Sequence, residues 1–210
     1  MVLAVALQVP DRSHASPCGA QPARLLPVDQ AAMQPEFFTF RARLQAAIAR
    51  RDEAAVLAAA DPGIRTSFGD DEGIATLRAK LRDPQDAVWG DLATALALGG
   101  TFQSADSFAA PYVFAAWPER FDSFECGAVI GERVRVRASA EPGSAVLATV
   151  SYEIVQVLPD QRDAATARVR LRNGVTGFIA TPFVRSPVDH RAIFQKTAGQ
   201  WRLRAFVAGD

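Results

Sequence analysis

The sequence predicts an α+β fold: a helix-rich N-terminal unit, then a small β-barrel and a C-terminal β-hairpin. Two observations predict it. Apolar residues recur with the period of a helix between positions 35 and 98, and with the period of a strand after Gly127. The chain has 210 residues, of which 49% are hydrophobic and 22% are charged, so it can bury a sizeable core.

The composition excludes several classes of protein. Lys+Arg and Asp+Glu both total 23, so no basic excess points to nucleic acid. Two His and two Cys are too few for a Cys/His-rich metal cluster or a disulfide scaffold. No apolar run approaches the roughly 18 residues of a membrane span. We therefore expect no nucleic-acid partner, no membrane span and no cofactor.

The first residues have features of an export signal. Met1–Val9 is a short apolar run, and Ser13-His14-Ala15 fits the small-residue pattern of a cleavage site. Residues 1–32 are therefore predicted to be a signal-like or disordered N-terminus. This pattern favours a periplasmic or secreted protein, and the alternative is a cytoplasmic protein with an apolar start.

Four helices are predicted in the first half, and three of them show a clear apolar stripe on one face. Pro35 suits the first turn of the first helix, and Arg50 and Arg51 close it at the end that favours cations. Asp52 can cap a second, short helix that stops at Asp61-Pro62-Gly63. The inward residues of the first, third and fourth helices are Phe37, Phe40, Leu44 and Ile48; Ile74, Leu77 and Leu81; and Val88, Leu92 and Leu96.

Turns and an aromatic stretch complete this first unit. Residues 64–68 are predicted as a short strand, and the acidic residues 70–72 as a turn that caps the third helix. That acidic cluster lacks the spacing of a calcium-binding loop. Residues 102–126 are irregular and rich in aromatic side chains, which favours a connector packed against the helices. Residues 33–126 thus form the predicted helix-rich unit.

The second half alternates between apolar and charged residues. Val134 and Val136 alternate with arginines, and so do Val169 and Leu171, which is typical of half-buried antiparallel strands. Asn173-Gly174 follows the second run and is a strong hairpin signal. The arginines are Arg133, Arg135 and Arg137 in the first run and Arg168, Arg170 and Arg172 in the second.

Residues 129–184 resemble the bacterial SH3-like (SH3b) domain. Residues 134–143, VRVRASAEPG, match the strand with a Val-Arg pair and the following turn of small residues and proline. Residues 169–178, VRLRNGVTGF, match the closing V-x-L-x-x-G-x-x-G-aromatic run. The resemblance implies an SH3-like barrel over residues 127–186. Family members often carry a Trp where Thr166 and Ala167 stand.

Two kinds of side chain are candidates for binding. Aromatic walls recognise extended peptides, and rows of arginine can bind an anionic polymer or carboxylates. The predicted binding residues are Arg135, Arg137, Arg170, Arg172, Tyr152 and Phe178. The expected partners are an envelope polyanion, peptidoglycan or protein carboxylates. If the two arginine-bearing strands lie near each other, six guanidinium groups form one outward field.

The charges suggest another role for these arginines. Residues 1–125 contain 16 acidic and 11 basic side chains, a net charge of −5, whereas residues 126–210 contain 7 and 12, a net charge of +5. The arginines could therefore pair with the acidic half, or form a solvated face.

Cys126 and His190 are the pair that a Cys/His peptidase of the cell wall would require. No helix start or family motif accompanies Cys126, so we predict no catalytic residue. In an exported protein Cys18 and Cys126 could instead form a disulfide, and a free thiol is the alternative.

The C-terminal residues 187–210 are predicted to form a hairpin that packs back on the body. Trp201 leads the apolar face of its last strand and is expected to be buried between the barrel and the helical unit. The leading function is a non-enzymatic binding or interaction protein of the bacterial cell envelope with an SH3-like module. The alternative is an enzyme or enzyme accessory, related to the cell wall, with a site between the two halves.

Overall fold

The protein has a mixed α+β fold with two sheets, as a computed structural model shows. The structure describes residues 18, 23–69, 72–162 and 165–209. The predicted cleavage site at Ser13-His14-Ala15 and the acidic residues Asp70 and Asp71 lie outside the described residues. Within these ranges the fold class predicted from the sequence is confirmed at the level of α+β.

Five α-helices occur in the described residues, and local signals explain where the first two begin. The Asp52 side chain accepts a hydrogen bond from the Ala55 N–H at 3.0 Å and so caps the second helix. Pro35 occupies the first turn of the first helix, as predicted. The helices are α1 (Pro35–Ala49), α2 (Glu53–Ala59), α3 (Ile74–Arg82), α4 (Val88–Ala97) and α5 (Tyr112–Ala115).

The strands fall into two sheets. They are β1 (Ala60–Arg65), β2 (Thr101–Ser104), β3 (Ser107–Ala110), β4 (Cys126–Val129), β5 (Val134–Arg137), β6 (Val146–Val150), β7 (Ile154–Arg162), β8 (Thr166–Arg170), β9 (Thr176–Ala180), β10 (Val184–Arg185), β11 (Arg191–Thr197) and β12 (Gln200–Val207). The first sheet has the order β1-β12-β11-β3-β2, and the second has the order β10-β4-β7-β8-β9-β5-β6.

The second sheet is formed by chain that lies between two neighbouring strands of the first. β3 pairs with β11 in antiparallel register, with Phe108 opposite Phe194 and Ala110 opposite Ala192. In the sequence, all strands of the second sheet therefore come after β3 and before β11. Residues 102–126, expected to be an irregular connector, contain β2, β3 and α5. Phe108, Ala109 and Ala110 of β3 are all buried, so this strand shows no alternation that the sequence pattern could detect.

The seven strands of the second sheet are all antiparallel. The alternation read from the sequence is visible in the burial, because Val134, Val136 and Val169 are in the core while Arg135 and Arg170 are exposed. Gly174 has φ of 84° and donates its N–H to the Leu171 carbonyl at 2.9 Å, forming the expected turn. Among the described residues this sheet ends at β10 and β6, so no closed barrel is formed.

Trp201 is buried, but in a different place from the one expected. Its side chain belongs to the core between the helices and the first sheet, and its ring centroid lies 4.7 Å from that of Phe37 on α1. The core of the second sheet is a separate cluster of valines with Leu171 and Ile179. Trp201 therefore belongs to the packing of the first sheet under α1 and not to a contact with the second sheet. β12 pairs with both β11 and β1, so the last strand lies inside the first sheet.

The Asp29–Arg41 pair predicts a loss of stability in acid. Arg41 is buried on α1 and donates to both Asp29 carboxylate oxygens, at 2.8 and 2.6 Å. Burial raises the pKa of Asp29, but the hydrogen bonds from Arg41 and the Ala31 N–H outweigh this and leave the pKa below its ordinary value. The stabilisation is therefore present at neutral pH and is lost as the pH falls below about 4.

Urea unfolding between pH 6 and pH 3 measures this effect. Wild type should lose stability more steeply than Asp29→Asn as the pH falls. The Asp29 carboxylate takes up a proton in this range, whereas the asparagine amide does not. Parallel stability curves for the two proteins would contradict the prediction.

Candidate functional site

A groove with a volume of about 530 Å³ lies along β5 in the second sheet, and we call it the β5 groove. Its residues come from β5 and the loops before and after it, from the start of β8, and from β9 and the turn after β9. The side chains in it that carry charge or an aromatic ring are Glu132, Arg133, Arg135, Arg137, Glu141, Phe178 and Phe183.

The groove exists because two strands separate. β5 pairs with β6 along Val134–Arg137, but its register with β9 is the single position at which Arg137 lies opposite Phe178. Arg135 and Ala180 line the groove beyond this position, where the ladder between the two strands has ended. The pairing thus leaves an opening in the sheet beside the alternating arginines.

The three arginines of the groove differ in what holds them. Arg137 Nη1 donates to the Ser144 carbonyl at 2.7 Å and so fixes the loop after β5. Arg133 has a left-handed backbone, with φ of 49°, and its N–H donates to Ser151 Oγ at 2.8 Å. Within the described residues the guanidinium groups of Arg133 and Arg135 form no salt bridge. These two charges are therefore available to a ligand.

Three of the six predicted binding residues line the groove, namely Arg135, Arg137 and Phe178. Arg170, Arg172 and Tyr152 lie outside it. β9 lies between β5 and β8 in the sheet, and Arg170 of β8 is opposite Thr176 of β9. The two rows of arginine are therefore on strands that do not neighbour each other.

Tyr152 lies in a turn that is hydrogen-bonded to the N-terminal segment. Its backbone has φ of 57°, its N–H donates to the Gly131 carbonyl at 3.1 Å, and its carbonyl accepts from Leu25 at 2.8 Å. This turn attaches the N-terminal segment to the second sheet. The ring does not line the β5 groove.

Contacts between the acidic and the basic half involve the end of the chain. Lys196 Nζ lies 2.6 Å from Glu36 Oε2, and Arg204 Nη1 lies 2.8 Å from Asp61 Oδ1. In the part of the chain that the structure describes, Arg135 forms no such pair. The role of holding the acidic half therefore belongs to β11 and β12, and not to β5.

The Cys/His pair required for a peptidase is not formed. Cys18 and Cys126 are joined in a disulfide with a Cα–Cα distance of 5.7 Å. The Cys126 sulfur is therefore not a nucleophile in this state. His190 lies elsewhere, with Nδ1 3.2 Å from Asp91 Oδ2 and its ring stacked on Phe206.

Four of the charged or aromatic side chains that line the groove are not among the six predicted binding residues: Glu132, Arg133, Glu141 and Phe183. Sequence signals for two of them were present. Arg133 belongs to the same alternating run as Arg135, and Glu141 stands in the turn of small residues and proline. Phe183 follows Pro182 in a short 3-10 turn and is half-exposed. Only the course of the chain around the groove brings these residues together.

The described residues contain no group of three His, Cys, Asp or Glu side chains arranged to bind a metal ion. None of the helices in these ranges is both long and apolar enough to cross a bilayer. Glu72, the described member of the acidic cluster, lies 3.0 Å from Arg65 Nε in an exposed ion pair.

Comparisons with known proteins add little to this geometry. No protein-family model matches the chain, and no curated protein matches it. One solved structure, a designed protein whose title contains the term NTF2, is 11% identical over 82% of this chain and 95% of its own, with a TM-score of 0.30. A similarity this weak supports no argument about fold or function.

Proposed function

We propose that this chain is a non-enzymatic binding protein of the bacterial cell envelope, and that the β5 groove holds an extended ligand bearing carboxylates. One observation carries the proposal. Two guanidinium groups without a salt bridge in the described residues, Arg133 and Arg135, share one groove with the rings of Phe178 and Phe183. Arginine binds carboxylate through charge-assisted hydrogen bonds, and aromatic side chains form the walls against which extended chains pack.

The resemblance to bacterial SH3-like domains supports this proposal. Short antiparallel strands, the Asn173-Gly174 turn and a groove with aromatic side chains are what such a module would need. The disulfide between Cys18 and Cys126 favours an oxidising compartment, which supports a periplasmic or secreted location.

The carboxylates of the groove narrow the choice of ligand. Glu132 and Glu141 line it together with the arginines, so its charge is mixed. A dense polyanion would meet repulsion there as well as attraction. A ligand with separately placed carboxylates, such as the peptides of peptidoglycan or a protein segment with acidic residues, fits this arrangement better.

Cosedimentation of the full chain with purified peptidoglycan tests the proposal. Arg135→Glu places a negative charge in the groove and is expected to reduce affinity by about tenfold or more, since an Arg–carboxylate pair is replaced by repulsion. Arg170→Glu is the matched control, because it makes the same charge change at an exposed strand position outside the groove. It should change affinity less than twofold.

The two variants also separate the competing explanations. Equal losses for Arg135→Glu and Arg170→Glu would show attraction to a general positive field, and would contradict binding in the groove. Unchanged retention of both variants would contradict the arginine role altogether. Thermal unfolding of each variant checks that the fold is intact.

The alternative function, an enzyme or enzyme accessory with a site between the halves, would draw on His190. Asp91 on α4 contacts Nδ1 of this ring, which is how a carboxylate orients a histidine for proton transfer. A screen of cell-wall substrates that found turnover by the full chain would favour this alternative over the binding protein.

A further inference from the structure

A second hollow, which we call the helical cleft, lies between α1, α2 and the turn from β11 to β12, and has a volume of about 600 Å³. It shares no residue with the β5 groove. Leu44, Ala47 and Trp201 in its lining are buried, so the cleft reaches the main core. Its apolar side chains are those of Phe40, Leu44, Ala47, Ala55, Ala58, Ala59 and Trp201. A mostly apolar hollow of this size suits one small ligand.

One carboxylate at the margin of the cleft is already neutralised. Glu36 Oε2 lies 2.6 Å from Lys196 Nζ of β11. The hydrogen bond from Lys196 lowers the pKa of Glu36 and so favours the charged form that pairs with this ammonium group. Glu36 therefore contributes little net negative charge to the margin.

Two arginines at the margin keep their charge. Arg43 on α1 is exposed, and Arg202 on β12 donates to the uncharged oxygens of Ala60 and Gln200, at 3.3 and 3.2 Å. Neither arginine forms a salt bridge within the ranges that the structure describes. The margin of an apolar cleft thus carries two positive charges that no carboxylate balances.

Trp201 adds a polar atom to the apolar wall. Its Nε1 is buried and has no hydrogen-bond acceptor among the described residues. A buried donor without an acceptor is uncommon in native proteins and costs free energy. The Trp201 side chain, which lines the cleft, therefore carries one polar atom that is left unsatisfied.

We infer that the helical cleft binds a small anionic amphiphile, a molecule with an apolar body and one carboxylate. The apolar body covers Phe40, Leu44 and Ala59, and the carboxylate pairs with Arg43 and Arg202. Charge complementarity selects an anion over a neutral molecule of the same shape, because neither guanidinium group is paired with a carboxylate of the described residues. This site is independent of the β5 groove and of any ligand bound there.

Isothermal titration of the full, disulfide-bonded chain with decanoate tests the inference, with decanol as the neutral counterpart. Decanoate should bind at one site per chain and more tightly than decanol. The double variant Arg43→Gln/Arg202→Gln should weaken decanoate binding by about tenfold, since it removes both charge-assisted contacts. Arg50→Gln, at an exposed arginine directly after α1 and outside the cleft, is the control and should change binding less than twofold.

A filling variant tests the apolar part of the site. Ala58 is exposed and lines the cleft, so Ala58→Phe can occupy the hollow without disturbing the core. It should abolish decanoate binding, whereas Arg135→Glu in the β5 groove should leave it unchanged. The absence of saturable binding below the micelle concentration would overturn the inference. Equal affinity for decanol, or equal losses in the Arg43/Arg202 and Arg50 variants, would also overturn it.

Discussion

Phe37→Ala is expected to lower the free energy of unfolding by about 3–5 kcal/mol, the range for removing a buried aromatic side chain from a core. Phe37 is fully buried on α1. Its ring centroid lies 4.3 Å from that of Phe108 and 5.4 Å from that of Phe194, so one side chain joins α1 to two strands of the first sheet. Its other ring neighbours are Phe40, Phe102 and Trp201.

Urea unfolding followed by circular dichroism measures this loss. Phe38→Ala is the matched control, because Phe38 is the next residue on the same helix and is half-exposed. It should change stability by less than about 1 kcal/mol, the scale typical of surface substitutions. A small effect of Phe37→Ala, equal to that of the control, would mean that α1 does not hold the first sheet in the way described.

Loss of the disulfide is expected to cost about 5 kcal/mol in the chain-entropy model. Cys18 and Cys126 are 108 residues apart, so the bridge closes a long loop and restricts the unfolded chain strongly. It also fixes the N-terminal segment to the start of β4. The double variant Cys18→Ser/Cys126→Ser should therefore unfold at lower urea concentration, and wild type with a reductant should match it.

The reduced wild-type protein serves as the control for the substitutions themselves. A loss in the double variant that reduction does not reproduce would mean that buried serine hydroxyls, and not the missing bond, cause the effect. A loss below about 1 kcal/mol in both proteins would contradict the entropic account.

Some elements of the fold are determined by residues that are close together in the chain. α1 and α2 follow from Pro35, Asp52 and the apolar stripe on one face, because helix periodicity and capping act over a few residues. The alternation around Val134 and Val169 likewise shows which side chains of a strand are buried. The sequence allows a disulfide between Cys18 and Cys126 if the protein is exported, with a free thiol as the alternative, and the fold brings the two residues together.

The candidate site was predictable only in part. Arg135, Arg137 and Phe178 were identified from the alternation and from the resemblance to SH3-like domains, and they share the β5 groove. Arg170 was identified by the same alternation but lies outside the groove. The pattern along a strand gives the face on which a side chain lies, but not which strand is the neighbour.

The sequence by itself determined the α+β class, the helices of the first half and the alternating faces of the second. Each of these depends on interactions between residues that are close in the chain. Only the tertiary structure decided that β3 pairs with β11, that β9 separates β5 from β8, and that Trp201 packs on α1. Strand pairing joins residues far apart in sequence, and many pairings satisfy the same alternation of apolar and polar side chains. The packing of the complete core selects one of them.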